Sequence, residues 1–276
     1  MNPIRIALAQ TAWEPGQMER KFVALAREAQ KRGAALLCLP EFALSPYFAL
    51  RPRGAGEEPI PEAIPGGLSC RFFSELAQAN TLFVQGSLLE DGFDTSVVFA
   101  PDGALIGACR KQHIPADIGY YERDYFGPGD SDYPVMQLPE IALAAPTCYD
   151  QWFPELARIF ALKGAELIAY PTAIGSEPSE PGFDSQPAWT TILRSHAIAN
   201  GVFIAATNRI GIEESITFYG SSVIVAPGGE VLAQASRDNE ELVVADLDPA
   251  MLTLWRRLFP LLERREPQTY GRLLQV

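Results

Sequence analysis

The sequence predicts an α/β fold made of two similar layers that face each other. Three observations carry that prediction. Strand–helix–strand, helix–strand and hairpin patterns follow one another twice along the 276 residues, although no repeat of sequence is visible. The runs Leu36-Leu37-Cys38-Leu39 and Ile141–Thr147 are apolar, as strands buried on both faces are. The turn signals Pro101-Asp102-Gly103 and Pro227-Gly228-Gly229 each separate two strand-like runs. No linker-like change in composition divides the halves, so residues 1–276 are read as one domain, with 47 % hydrophobic residues to fill its core.

Ile4–Gln10 alternates like a strand. Met18–Arg32 sets Phe22, Val23, Leu25, Ala26 and Ala29 on one helical face, and Gly33 follows as a stop. The strand Leu36–Leu39 ends at Pro40 and Glu41, completing a βαβ unit whose carboxyl-side ends are the usual place for a ligand. Residues 45–67 lack any period and read as a long surface loop. Helix Ser69–Asn80, strand Leu82–Leu88 and the hairpin Thr95–Ala100 with Ala104–Ala108 follow, then a loop rich in glycine and tyrosine, Gly119–Asp130. The second half reads as strand Ile141–Thr147, helix Pro154–Lys163, strand Leu167–Tyr170 and a polar loop Pro171–Pro187. Helix Trp189–Asn200, strand Phe203–Thr207, hairpin Phe218–Ala226 with Val231–Ala235, strand Leu242–Asp246 and a C-terminal tail complete it.

Composition narrows the function. Twenty-two basic residues stand against 34 acidic ones, a net charge of −12, which argues against nucleic-acid or anionic-membrane partners and is compatible with a cationic small substrate. The four cysteines, at 38, 70, 109 and 148, form no C-x-x-C pair, and His113 and His196 are the only histidines, so no zinc-site spacing exists. The opening residues lack a signal-peptide core and no apolar run reaches membrane-spanning length. The expectation is a cytoplasmic protein with free thiols and no metal or cofactor.

Cys148 is the best-placed nucleophile. It ends a buried strand and precedes a helix opened by Pro154, where backbone N–H groups and the helix dipole favour a thiolate. Cys38, Cys70 and Cys109 read as small buried hydrophobes. Two kinds of base are open to Cys148. His196 lies in an apolar helix and suits a core role, while His113 suits loop anchoring as well as catalysis. Glu41, just behind a buried strand and a proline, suits a desolvated carboxylate able to take a thiol proton. Lys111, at the end of a hairpin strand, would stabilise a thiolate and an oxyanion if it shared the pocket, and Glu122 lies in the aromatic loop beyond it.

Together, Leu39-Pro40-Glu41-Phe42, Arg110-Lys111-Gln112-His113-Ile114-Pro115 and Cys148-Tyr149-Asp150-Gln151-Trp152-Phe153-Pro154-Glu155 resemble the Glu–Lys–Cys motifs of the nitrilase superfamily of carbon–nitrogen hydrolases. The resemblance runs from Ile4 to the last strand. Within the superfamily, Tyr170–Pro178, Asn208-Arg209-Ile210-Gly211 and Ile216–Ser222 look most similar to the N-carbamoylputrescine amidases. The chain departs from that group at Tyr149, where tryptophan is usual, and in a shorter segment between Gly211 and Ile216.

The resemblance implies a four-layer αββα sandwich that associates into homo-oligomers, with the tail from about residue 250 used in the contacts. It implies that Cys148 attacks a ureido carbonyl, with Glu41 as general base and then proton donor to departing ammonia. Lys111 and the Tyr149 N–H would hold the oxyanion, and Glu122 would position Lys111 and the substrate nitrogen. Water would release carbamate from the thioester, and the carbamate would decompose to carbon dioxide and ammonia. An ammonium at the substrate's far end calls for carboxylates or aromatic faces. Glu177 and Asp184 are the candidates for the charge, with Tyr120, Tyr121, Trp152 and Phe153 as walls. Substrates ending in a carboxylate, such as N-carbamoyl amino acids or ω-amides, would instead need an arginine, Arg209 or Arg194. A non-catalytic binding protein on the same fold is the remaining alternative.

Overall fold

Alternate residues of the first strand enter two different cores in the computed structural model, which describes residues 3–275. In chain order the elements are β1 (Ile4–Gln10), α1 (Met18–Lys31), β2 (Leu36–Cys38), α2 (Leu68–Asn80), β3 (Phe83–Glu90), β4 (Phe93–Phe99) and β5 (Leu105–Arg110). Then come β6 (Val135–Gln137), β7 (Ala142–Ala144), α3 (Pro154–Leu162), β8 (Leu167–Pro171), α4 (Gln186–Asn200), β9 (Phe203–Thr207), β10 (Ile210–Glu213) and β11 (Ile216–Tyr219). The chain continues through β12 (Val223–Val225), β13 (Val231–Gln234), β14 (Glu241–Leu247) and α5 (Pro249–Leu258).

Two six-stranded sheets result, ordered β14-β1-β2-β3-β4-β5 and β13-β12-β9-β8-β7-β6. Ile6 and Leu8 of β1 pack between the sheets against Leu143, Leu167, Phe203 and Ile224. Ala7 and Ala9 point the other way, into a core closed by Phe22, Ala26 and Ala29 of α1 and Phe73, Leu76 and Ala77 of α2. On the far side, Leu156 and Phe160 of α3 and Trp189, Leu193 and Ala197 of α4 cover Ile168, Tyr170 and Ile204. The layers are therefore helix, sheet, sheet, helix, the expected αββα sandwich. Period-two alternation sends the central strands into both cores, so β2, β7, β8 and β9 are apolar almost throughout, while β1, β3 and β4 also carry buried polar residues such as Gln10, Gln85 and Asp94.

Several details differ from the expectation. β1 is buried on both faces apart from Arg5, and its terminal Gln10 is buried as well. The stretch Phe218–Ala226 is two strands: Phe218 belongs to β11, paired with β10, and β12 begins only after Gly220 (φ +52) and Ser221 (φ +59) turn the chain. Residues 45–67 are not all surface, because Tyr47, Ala49 and Leu50 are buried. The tail opens with α5, started by Asp248, whose carboxylate accepts the Ala250 N–H at 2.9 Å. Arg256 of α5 donates to Gly201 O at 2.9 Å, fixing the helix to the second layer, while Leu258, Leu273 and Leu274 stay exposed. Among the described residues no helix is long and apolar enough to cross a membrane.

Candidate active site

The carboxyl-side ends of β2, β5 and β7 meet at one buried place. Pro40 stops β2, and Glu41 and Phe42 follow with Phe42 in a left-handed conformation (φ +47). Arg209 braces that turn. Its Nη2 donates to Glu41 O at 2.6 Å and Phe42 O at 3.0 Å, and its Nη1 pairs with Glu213 at 2.6 Å. A guanidinium spent this way does not reach a substrate carboxylate, and Arg194 donates to Gly229 O elsewhere. Neither arginine therefore fills the role that a carboxylate substrate would require.

Lys111 follows β5 in register, its N–H donating to Asp94 O at 2.9 Å. Its side chain is fully enclosed. The ammonium lies 2.9 Å from Glu41 Oε1, 2.5 Å from Glu122 Oε2 and 3.3 Å from Asp94 Oδ2. Tyr47 OH donates to the other oxygen of Glu122 at 2.6 Å. Glu41, Asp94 and Glu122 place oxygens within 4.8 Å of one another, a spacing that would suit a metal ion, but the ammonium already supplies the cation there. A salt-bridged cluster of this kind must repay a large desolvation cost, and close charge-assisted hydrogen bonds are what repay it.

Cys148 begins a single turn of 3₁₀ helix, and it too is left-handed (φ +41), a conformation a non-glycine residue adopts only when its surroundings hold it. Asp150 does the holding. Its carboxylate accepts N–H groups from Gln112 at 3.2 Å, His113 at 2.9 Å and Thr147 at 3.4 Å, and His113 Nδ1 lies at 2.8 Å. The His113 ring stacks on Phe153 at 3.6 Å. Asp150 thus ties the Lys111 segment to the Cys148 turn, and His113 serves that anchor. His196 contacts Gln151 O through Nε2 at 2.7 Å, a satisfied core histidine.

Charge sets the protonation states. Burial raises the Cys148 thiol well above its ordinary value, Glu41 raises it further, and Lys111 opposes both. Burial alone would discharge Lys111, but Glu122, Glu41, Cys148 and Asp94 outweigh it and hold the ammonium well above the usual lysine range. Glu122 is pushed up to about 7, chiefly by burial and against the pull of Lys111. Cys38 and Cys109 are raised by burial in strands, and Cys70 is pushed up to about 12.

A narrow cavity of about 60 Å³ opens above Cys148. Tyr120, Tyr149, Trp152 and Ile174 wall it, Glu122 reaches it, and Asp117 and Glu177 stand in its lining, where no described residue is a lysine or arginine. Gly175 permits the neighbouring wall: a Cβ there would lie 2.4 Å from Thr217 O, so the β10–β11 hairpin could not pack down. Tyr121, Phe153 and Asp184 are not brought to this cavity. Tyr121 lies between two lining residues, Tyr120 and Glu122, but does not itself line the cavity, Phe153 turns to His113, and Asp184 forms a surface pair with Arg237 at 2.8 Å. Asp94, Asp117 and Tyr47 were not legible as site residues. Asp94 carried one signal, since aspartate is disfavoured inside strands.

Comparison with known proteins gives the chain's family and fold. Residues 5–257 match the family model for carbon-nitrogen hydrolase. An N-carbamoylputrescine amidase of Arabidopsis thaliana is 36 % identical over 91 % of this chain and 88 % of its own. A citrullinase of Francisella tularensis is 33 % identical over 100 % of this chain and 99 % of its own. The crystal structure of a carbon-nitrogen hydrolase from Helicobacter pylori G27 superposes with a TM-score of 0.89 at 36 % identity, covering 99 % of this chain and 98 % of that one. The chain belongs to the carbon-nitrogen hydrolase family, within the nitrilase superfamily.

Proposed function

We propose that this amidase hydrolyses the ureido C–N bond of N-carbamoylputrescine. One observation carries the substrate: the cavity over Cys148 presents Asp117 and Glu177 and no basic side chain. Burial raises the Glu177 carboxyl, a hydrogen bond with Ser185 opposes this and Asp117 adds to it, so an ammonium arriving between the two carboxyls would favour their ionised forms and pair with them. Aromatic faces at Tyr120, Tyr149 and Trp152 suit the methylene chain and its cation. N-carbamoyl amino acids, ω-amide acids and citrulline all bring a carboxylate, for which this lining holds no basic partner among the described residues, although citrulline also brings an ammonium.

In this reading Glu41 takes the Cys148 proton as sulfur attacks the ureido carbon. Lys111, fixed by its carboxylates and charged beside Cys148 behind the cavity's own lining, stabilises the developing oxyanion together with the Tyr149 N–H, since fixed charge in a dry site stabilises a transition state strongly. Glu41 returns the proton to ammonia as the C–N bond breaks. The thioester left on Cys148 carries the putrescine nitrogen. Water, deprotonated by Glu41, therefore releases an N-substituted carbamate, not the free carbamate that the resemblance implied. Loss of carbon dioxide then frees putrescine, and each turnover gives one ammonia.

Ammonia release from N-carbamoylputrescine, citrulline, N-carbamoyl-β-alanine and a simple ω-amide tests the reading, with Cys148→Ala as the blank. The kcat/KM for N-carbamoylputrescine is expected to exceed the others by about 100-fold or more, the discrimination expected when a rival substrate leaves charges mispaired. Glu177→Gln and Asp117→Asn are each expected to raise KM for the cationic substrate about tenfold while leaving a neutral carbamoyl amine nearly unchanged. Preferred turnover of citrulline, or equal KM effects on charged and neutral substrates, would sink the assignment.

A further inference from the structure

We propose that Asp94 is a positioning residue that keeps its proton at working pH and donates it in a hydrogen bond to Glu41, holding that carboxylate in place as the base. The argument begins with an imbalance of charge. Glu41, Asp94 and Glu122 surround a single ammonium, and all of these side chains are almost completely enclosed. Three ionised carboxylates would leave two surplus negative charges beside a cysteine that must itself become negative. Among the described residues no other cation lies in the cluster, so a proton has to remain.

Hydrogen bonding decides where it remains. Glu122 receives a close donor on each oxygen, from Tyr47 OH at 2.6 Å and Lys111 at 2.5 Å, which suits a carboxylate once pH rises past about 7, where its own carboxyl titrates. Glu41 receives Lys111 on Oε1 at 2.9 Å. Asp94 receives only the longer Ser87 hydroxyl on Oδ1 at 3.2 Å, and its contact with the ammonium, 3.3 Å, is not a hydrogen bond. Two buried carboxyl oxygens consequently have no partner, Glu41 Oε2 and Asp94 Oδ2. One proton placed between them satisfies both, since one oxygen becomes a donor and the other an acceptor. Lys111 lies nearer Glu41, so the charge belongs on Glu41 and the proton on Asp94.

Most of the groups facing Asp94 favour its proton, and Lys111 alone opposes it. The groups facing it are Glu41 beyond β2, Ser87 of β3, Cys109 and Lys111 at the end of β5, and Glu122 in the following loop. Burial raises the Asp94 carboxyl well above its ordinary value, Lys111 opposes this, and Glu41 and Glu122 add to it. A carboxylic acid kept neutral in an enclosed site so that it can donate is a known device of enzymes. Here it would fix the Glu41 rotamer and spare the Cys148 thiolate an additional negative neighbour.

The inference rests on Glu41 acting as the base of the proposed reaction, but the proton can be read without turnover. The infrared difference spectrum between wild type and Asp94→Asn at neutral pH is expected to show the C=O stretch of a protonated carboxyl. Absence of that band overturns the proposal whatever the substrate proves to be. Kinetics then test the role. Asp94→Asn keeps a donor of the same shape and is expected to lower kcat about threefold, against about 30-fold or more for Asp94→Ala, with KM changed less than about twofold in either. The alkaline fall of kcat/KM should move to higher pH in Asp94→Asn, because the group whose ionisation crowds Glu41 is gone. An Asn variant as impaired as Ala, or an unmoved alkaline limb, overturns the positioning role. Should the Ala variant fail to fold, the infrared band and the Asn pH profile decide alone.

Discussion

At the scale of single residues, Glu122 is where charge and stability meet. Its carboxyl stands at about 7 in the folded protein, raised mainly by burial, against an ordinary value of 4.5. A raised carboxyl means that the folded state binds a proton the unfolded state has released. The resulting stability is fully present below pH 4.5 and is lost as pH rises through about 7. A shift of that size corresponds to about 3 kcal/mol. Urea unfolding of wild type is therefore expected to show stability falling between pH 5 and pH 8, and Glu122→Gln should flatten the fall by about 3 kcal/mol. A slope unchanged in the variant would show that another group carries it. Cys148, Glu41 and Lys111 could be singled out from sequence because each follows a strand end, where α/β folds expose chemistry. Asp94 and Tyr47 could not. Asp94 lies inside a hairpin strand among residues that face no obvious pocket, and Tyr47 opens a segment whose proline and glycine content disguises its buried first turn.

At the scale of elements, the active centre depends on segments that are distant in sequence and joined by few bonds. Asp150 is the clearest joint, since it holds both the turn that strains Cys148 and the two residues after Lys111. Replacing it with Ala leaves the buried Thr147 N–H and the part-buried Gln112 and His113 N–H groups unpaired, at a cost of about 1–3 kcal/mol. The larger effect is expected on chemistry. Small misplacement of reacting groups costs rate out of proportion to stability, so Asp150→Ala should lower kcat about 100-fold with KM little changed. A variant with reduced thermal stability but wild-type kcat would show that the joint serves folding alone. Long periodic helices and apolar central strands were legible because one side chain pattern decides them. The short strands β6 and β10 and the break between β11 and β12 were not. Three- and four-residue strands carry too little pattern, and their pairing is decided by partners far along the chain. α5 was missed for a different reason: only Leu252 of it is buried, so its sequence lacks a wide apolar face.

At the scale of the whole molecule, polar side chains stitch the sheets together at the end that holds the site. Gln10, closing β1, donates to Ser236 O and Asn239 O at 2.9 Å and accepts from the Ser222 N–H and hydroxyl at 3.0 and 2.9 Å. Gln85 of β3 donates to Ala169 O of β8 at 2.9 Å, crossing from one sheet to the other. Arg209, beyond β9, reaches back to the Glu41 turn beyond β2. Each bond is worth only about 1 kcal/mol net, yet breaking one partner strands a buried group. Neither half can therefore open without exposing both the shared apolar core and these cross-links, and unfolding should be a single transition. The tryptophans make this measurable. Trp152, Trp189 and Trp255 lie in the second half and only Trp13 in the first, so fluorescence reports mainly one half while far-ultraviolet circular dichroism reports both. The two probes are expected to give superimposable urea curves, as two-state behaviour requires. Gln85→Ala should shift both midpoints together by the same amount. A fluorescence transition that separates from the dichroism curve, in wild type or in Gln85→Ala, would mean that the halves unfold independently and that the one-domain reading fails.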